Sequence, residues 1–191
     1  MKILNIIFLT LILSSCGMQS IPTGLNDVDA SWAEVQNQYK RRADLIPNLV
    51  NVVKGYATHE KETLIQVTEA RANATKVTLS VDQLTSENMA KFQKAQAGLT
   101  GALSKLLAVA ENYPQLKANE NFRDLQVQLE GTENRITIAR NRYIESVKNF
   151  NNLVTVPPES WYNSLFLKHA KKAQFQIENL EKVQDAPEVK F

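Results

Sequence analysis

The chain has 191 residues, enough for one domain with a sizeable core and short for two ordinary domains. Its 22 basic and 20 acidic residues leave a formal net charge of +2. This near balance lacks the strong positive field typical of nucleic-acid-binding proteins, so the composition disfavours a nucleic-acid partner.

The first residues predict export and lipidation. Lys2 precedes the apolar run ILNIIFLTLIL, which has the length of a signal-peptide core and about half of the roughly 20 residues that span a bilayer. The following LSSCG resembles the bacterial lipobox, in which a cysteine is acylated and becomes the mature N-terminus. We therefore predict a lipoprotein signal peptide over residues 1–15 and an acyl anchor on Cys16, the single cysteine.

An anchor of this kind predicts where the domain works. Two or more acyl chains hold a protein stably at a membrane without spanning it. The domain would face the periplasm or the cell exterior, and the non-acidic Gly17 resembles outer-membrane sorting in some Gram-negative bacteria. Residues 16–24, which contain glycine and proline, are predicted to form a tether.

Helical periodicity begins at Leu25 and continues to Val77. Steps of three and four residues give an apolar stripe whose phase carries across Pro47. This favours one long helix kinked at the proline, although a new helix starting there, capped by Asp44, is an alternative.

Two further long helices follow. The second is predicted over Asp82–Glu111, opened by a capping box at Ser80. Its apolar stripe consists of Met89, Phe92, Gln96, Leu99, Leu103, Leu106 and Ala110. The third starts after the NYP turn at residues 112–114 and runs to about Leu153, where VPP ends it because a residue before proline avoids helical angles.

The remainder predicts a shorter fourth helix over residues 159–183 and an extended tail over residues 185–191. Strand-like alternation is absent from the sequence. The predicted fold is therefore all-α, an antiparallel four-helix bundle over residues 25–184 with a long, Pro-kinked first helix.

Three polar residues fall on the apolar stripes and predict a buried polar layer: Arg42, Gln96 and Thr132. A buried arginine needs a partner because an uncompensated interior charge costs several kcal/mol. Glu130 or Glu133 on the third helix could supply it. Such a layer mostly fixes helix register, with partner binding and catalysis as alternatives.

The start of the first helix lacks an obvious neighbour. A helix of about 50 residues outreaches one of about 30 by roughly 30 Å. Trp32 and Tyr39 lie on the stripe of this unmatched part, and large apolar residues rarely stay bare on a monomer. We predict that the C-terminal tail or another protein covers them, through helix-in-groove binding of a partner or through self-association.

Motifs for chemistry are incomplete. His59 and Glu60 lack the second histidine of HExxH, and no ExxH motif for a di-iron site occurs in the sequence. We therefore predict no enzymatic activity, no metal and no cofactor. The alternative is an envelope enzyme or accessory subunit that uses the face around Arg42, Asp44, His59 and Glu60.

Several blocks of the sequence resemble the LemA family of bacterial membrane-associated proteins: KRRADLIPNLV from residue 40, YPQLKANENF from residue 113, and the terminal PEVKF. The resemblance covers nearly the whole mature chain. It implies an α-helical bundle facing away from the cytoplasm, without an established enzymatic activity, and it identifies no ligand. Family members often have a transmembrane helix near the N-terminus, where this chain has the lipobox.

The stripe, the polar layer and the family blocks together give the candidate residues for partner binding or for the polar layer. They are Trp32, Tyr39, Arg41, Arg42, Asp44, Asn48, His59, Glu60, Glu133 and Arg140.

Overall fold

The structure is a computed structural model that describes residues 19–57 and 59–175. Within these residues the chain is all-α and contains no strand, which confirms the predicted fold class. The predicted signal peptide, Cys16 and the tail over residues 185–191 lie outside the described residues.

Four long helices and two short ones make up the described fold. The long helices are α1 (Ser20–Tyr56), α2 (Lys61–Lys76), α3 (Ser86–Ala110) and α5 (Glu120–Thr155). The short ones are α4 (Pro114–Ala118) and α6 (Glu159–Tyr162), with a 3-10 turn at Val81–Gln83 and a π-helical turn at Asn163–Leu167. In the described ranges, no helix is both long enough and apolar enough to cross a bilayer.

Helix α1 begins earlier than predicted. Residues 20–24, expected to belong to the tether, are helical, and Ile21 and Gly24 are buried. Pro22 is accommodated because it lies in the first turn, where a missing amide proton costs nothing. Helix α1 is also continuous through Pro47, so the alternative of a new helix starting there is wrong.

The predicted helix of about 50 residues is wrong at its second half, because α1 ends at Tyr56 and α2 starts at Lys61. Helix α2 folds back along α1, and Arg71 Nε donates to the backbone oxygen of Ala43 at 2.7 Å. Folding back buries Leu64 and Val67, which a straight continuation would leave beside solvent.

Side chains cap the next two long helices. Helix α3 starts four residues later than predicted, where the Thr85 hydroxyl accepts from the Asn88 amide at 3.3 Å. The Ser80 amide donates to Gln83 Oε1 at 3.1 Å within the 3-10 turn that precedes it. Helix α5 starts after Asn119, whose side-chain oxygen accepts from the Phe122 amide at 3.0 Å.

The chain after α5 differs from its prediction. Val156 ends α5, as the VPP motif indicates, but the predicted fourth helix is wrong over residues 168–175, which are not helical. Lys168 takes a left-handed conformation with φ 56° and ends the π-helical turn. The following segment lies on α5, where the Asn151 side chain bonds both backbone groups of Lys172.

The core forms two apolar clusters. The Leu49 cluster joins the C-terminal half of α1 to α2, α3 and the start of α5. The Trp32 cluster joins the N-terminal half of α1 to Phe92 of α3 and to Tyr143 and Phe150 of α5. Along α1, Arg42 falls between the two clusters.

Candidate functional site

Arg42 is the centre of the polar layer. It is 2 % exposed, although it carries a charge. Its Nη1 donates to Glu133 Oε1 at 2.6 Å and to Thr100 Oγ1 at 3.1 Å, and its Nη2 donates to Gln96 Oε1 at 2.8 Å. One guanidinium therefore joins α1 to both α3 and α5, and Glu133 is the predicted acidic partner.

The layer extends beyond Arg42 on one side. Gln96 Nε2 donates to the backbone oxygen of Ala74 at 3.2 Å, which connects α3 to α2. Thr132, predicted as a member of the layer, is buried but donates to the Gln128 carbonyl of its own helix at 2.5 Å. The connected layer thus consists of Arg42, Gln96, Thr100 and Glu133, and Thr132 is satisfied separately.

The Tyr39 ring also lies against the guanidinium. The guanidinium carbon lies 5.1 Å from the centre of the Tyr39 ring, a cation–π distance. Burial raises the pKa of Tyr39, and the charges of Arg140 and Arg42 partly oppose that rise. The Arg42 Nε has no hydrogen-bond partner among the described residues.

A groove opens beside the layer between α1, α3 and α5. It has a volume of about 490 Å³, and its lining includes Arg42, Glu133, Thr137 and Arg140. The Arg140 guanidinium lies 4.5 Å from the centre of the Phe175 ring. The candidate residue Arg140 is therefore tied to the C-terminal segment beside this groove.

A second groove, which we call the Asp44 groove, lies between α1, α2 and α3. Its volume is about 470 Å³. Tyr39, Ala43, Ala74, Val77 and Phe92 give it an apolar lining, and Gln36, Asn37, Lys40, Asp44, Thr75, Thr78 and Gln96 add polar groups.

Arg71 of α2 compensates for the proline within α1. Proline has no amide proton, so the residue at position 47 cannot donate to the carbonyl of Ala43, its normal helical acceptor. Arg71 of α2 supplies that donor, with its Nε 2.7 Å from the Ala43 oxygen. Its Nη2 also lies 4.0 Å from Asp44 Oδ1.

The candidate stripe on α1 is covered within the chain. Trp32 is 1 % exposed, its Nε1 donates to the Leu79 carbonyl at 2.7 Å, and its ring contacts the rings of Phe92, Tyr143 and Phe175. The Trp32 side chain is therefore not free to contact a partner protein, whereas Tyr39, although also buried, lines the Asp44 groove.

The remaining candidates are distributed over the surface. Arg41, Asn48 and His59 are exposed. Asn48 lines a separate shallow groove with Asp124 and other residues of α5. Glu60, by contrast, accepts from the Tyr113 hydroxyl at 3.1 Å, beyond the end of α1.

The side chains proposed for an alternative catalytic site do not meet at one place. Arg42 bonds to α3 and α5, Asp44 faces Arg71 of α2, and Glu60 bonds to Tyr113. From Arg42 to Tyr56, α1 alone extends roughly 20 Å at 1.5 Å per residue. Across the described ranges, no three His, Cys, Asp or Glu side chains are placed to hold a metal ion.

Sequence reasoning missed Thr100 and the role of Arg71. Thr100 follows Gln96 by one helical turn, so the i, i+4 rule could have placed it in the layer. Arg71 carried one usable signal, because the carbonyl that a mid-helix proline leaves without its donor needs another.

The LemA family model matches residues 31–191. The chain belongs to the LemA family. Comparison with curated proteins gives no match. Within the LemA match, the block from residue 40 contains Arg42, Ala43, Asp44 and Pro47, and the block from residue 113 contains α4 and the cap of α5. Both blocks thus supply contacts between or at the ends of helices.

Proposed function

We propose that this LemA-family chain is a non-enzymatic helical scaffold of the bacterial cell envelope, anchored by acylated Cys16, that binds a protein partner. One observation carries the proposal. Arg42, the buried charge of the KRRADLIPNLV block, donates hydrogen bonds to Gln96, Thr100 and Glu133 of neighbouring helices. Such bonds fix how helices pair, which is what a rigid scaffold requires.

We infer further that the four long helices act as one antiparallel bundle, with α1 bent at Pro47. Helix α1 and helix α5 run in opposite directions, because the residue number rises along α1 as it falls toward the start of α5 in three hydrogen-bonded pairs. These pairs are Ser31–Ser146, Arg42–Glu133 and Tyr56–Asn119. Proline within a helix is one of the few recognised causes of a sharp bend. A measured angle between the α1 axes before and after Pro47 below about 20° would remove the kink from this proposal.

The Asp44 groove is the surface we assign to the partner. It opens on the same part of α1 as the buried stripe, and its apolar lining suits an apolar side chain while its polar groups can bond the partner's backbone. We propose that the partner inserts such a side chain between α1 and α2.

A photocrosslinking amino acid placed at Asn37 tests this surface in intact cells. Asn37 is exposed and lines the Asp44 groove. The matched control is Val127 on α5, which is 67 % exposed. We expect a crosslinked protein of defined mass from Asn37 and none of that mass from Val127. The same adducts from both positions, or adducts of this chain with itself, would contradict a specific partner in the groove.

The anchor has its own test. The intact mass of the protein isolated from bacterial membranes should equal residues 16–191 plus a diacylglyceryl group and any further acyl chain. In Cys16→Ser that lipid mass should be lost. An unmodified mass for the wild-type chain would refute the lipoprotein assignment and leave the helical scaffold to be judged by crosslinking.

A further inference from the structure

We propose that the turn after α5 is a membrane-docking face, which sits on the lipid bilayer beside the N-terminal anchor. The observation that points to it is a concentration of exposed apolar side chains. Of the eight large apolar side chains exposed in the described residues, four belong to the eleven residues from 156 to 166: Val156, Trp161, Leu165 and Phe166.

Three of these side chains lie close together along the turn. Trp161 and Leu165 are 65 % and 71 % exposed and stand one helical turn apart, so they share a side of the segment. Phe166 is 70 % exposed, and its ring centre lies 5.1 Å from that of Tyr162. Large exposed apolar patches are rare on soluble monomers, and they commonly mark protein or membrane interaction sites.

The face is held rigidly by a buried residue. The Asn163 side chain is 6 % exposed, and it donates to the His169 carbonyl at 3.0 Å and accepts from the His169 amide at 2.9 Å. The Lys168 amide donates to the Asn163 carbonyl at 2.6 Å. These bonds close the π-helical turn, so its apolar side chains are presented outward by the fold.

The residue types of the docking face favour a lipid bilayer as its binding partner. Tryptophan and tyrosine favour the headgroup region of bilayers, where an apolar ring and a polar group are both accommodated. Lys168 and Lys171 are exposed directly after the turn, and Glu159, the acid of this segment, is half-buried. Basic residues next to inserted aromatic side chains complement the negative charge of anionic lipids.

Its position also favours the membrane. A Cβ atom on Gly24 of α1 would lie 2.8 Å from Leu153 near the end of α5, and Asn163 Nδ2 lies 3.5 Å from the Val154 carbonyl. The start of α1 and the face are therefore at the same end of the molecule. Four residue steps separate Cys16 from Ser20, a reach of roughly 14 Å. The closeness of the docking face to the bilayer thus rests on the proposed acyl anchor at Cys16.

Lipid quenching of tryptophan fluorescence tests the face on the full chain as isolated from bacterial membranes. The sequence has two tryptophans, the exposed Trp161 and the buried Trp32. The protein is reconstituted into vesicles of phosphatidylethanolamine and phosphatidylglycerol that contain phosphatidylcholine brominated near the glycerol end of its acyl chains. The matched variant is Trp161→Phe, which leaves Trp32 as its single tryptophan.

We expect the brominated lipid to quench a large fraction of wild-type emission, and that fraction to disappear in Trp161→Phe. Quenching of Trp161 by aqueous iodide but not by brominated lipid would overturn the proposal. Quenching by neither would also overturn it, since another part of the chain or a second copy would then cover the face. The intact mass distinguishes failure of the anchor from failure of the docking face. Acylated protein whose Trp161 is not quenched by brominated lipid would refute the docking face alone. Unacylated protein whose Trp161 is quenched would refute the acyl anchor alone.

Discussion

Arg71 Nε lies 2.7 Å from the backbone oxygen of Ala43, the carbonyl that Pro47 leaves without its helical donor. A side chain from α2 thus completes the hydrogen bonding of α1 at the position where the sequence interrupts it. The proline therefore makes α1 depend on α2.

This dependence predicts a coupling between Arg71 and Pro47. Arg71→Leu leaves the Ala43 oxygen without a donor and should lower the free energy of unfolding by about 1–3 kcal/mol. In a Pro47→Ala background the same change should cost less, because the amide at position 47 now donates to that oxygen. A double-mutant cycle followed by urea denaturation measures the difference. Equal costs in both backgrounds would show that Arg71 acts independently of the proline.

The Arg42 layer predicts unequal effects of two neighbouring basic residues. Arg42→Leu leaves Gln96 Oε1 without its Arg42 donor and removes the pairing of Glu133, whose side chain is 49 % exposed and can be hydrated instead. We expect a loss of about 1–3 kcal/mol in unfolding free energy. Lys40→Leu is the matched control, since Lys40 is exposed, and should change stability by no more than about 0.5 kcal/mol. Small, equal effects from the two changes would contradict a structural role for the layer.

Tyr143 predicts loss of stability in alkali. Burial raises the pKa of its phenol above the ordinary value of about 10, and its hydroxyl donates to the Ala173 carbonyl at 2.7 Å. Above about pH 10 the unfolded chain releases this proton while the folded chain keeps it, so stability falls by up to about 1.4 kcal/mol per pH unit until the folded pKa is reached.

Tyr143→Phe should remove this part of the alkaline slope, leaving a smaller fall from Tyr39, whose pKa is raised in the same direction. At neutral pH the variant should lose about 1 kcal/mol, because the Ala173 carbonyl loses its donor. Urea denaturation at a series of pH values between about 8 and 11 gives both quantities. An unchanged slope in the variant would mean that the Tyr143 phenol does not control it.

We expect the same substitution to have unequal effects at two glycines. A Cβ atom on Gly98 of α3 would meet nothing within 4 Å, so Gly98→Ala should raise stability by about 0.5–1 kcal/mol. On Gly24 the Cβ atom would lie 2.8 Å from Leu153 Cδ1, so the leucine side chain must shift and the gain should be smaller than at Gly98. Thermal unfolding ranks the two variants, and a larger gain at Gly24 would contradict the close approach of α1 and α5.

The apolar stripes were predictable because helix burial follows a simple period. The stripe read from the sequence on α3 (Met89, Phe92, Gln96, Leu99, Leu103, Leu106 and Ala110) is the set of residues that the helix buries. The pairing of Arg42 followed from the same logic, since a charge on a buried stripe must find an opposite charge on a neighbouring stripe.

The turn between α1 and α2 could not be predicted in this way, because the stripe keeps nearly the same phase on both sides of it. The residues that contact Trp32 could not be predicted from the sequence either. They include Leu79, Tyr143 and Phe175, which are distant from Trp32 along the chain. Such contacts depend on where helices end, which is the least predictable property of a helical sequence.

Helix α2 is attached to the rest of the fold by little apolar surface. It buries three residues, Leu64, Val67 and Ala74, whereas α1 buries eleven. Segments with few buried contacts open at a lower free energy than the whole domain, so amide protons of α2 should exchange with solvent before those of α1 and α5. Thr75 and Ala74 of α2 form one wall of the Asp44 groove. Of the four long helices, the one that forms this wall buries the fewest residues and should therefore cost least to displace.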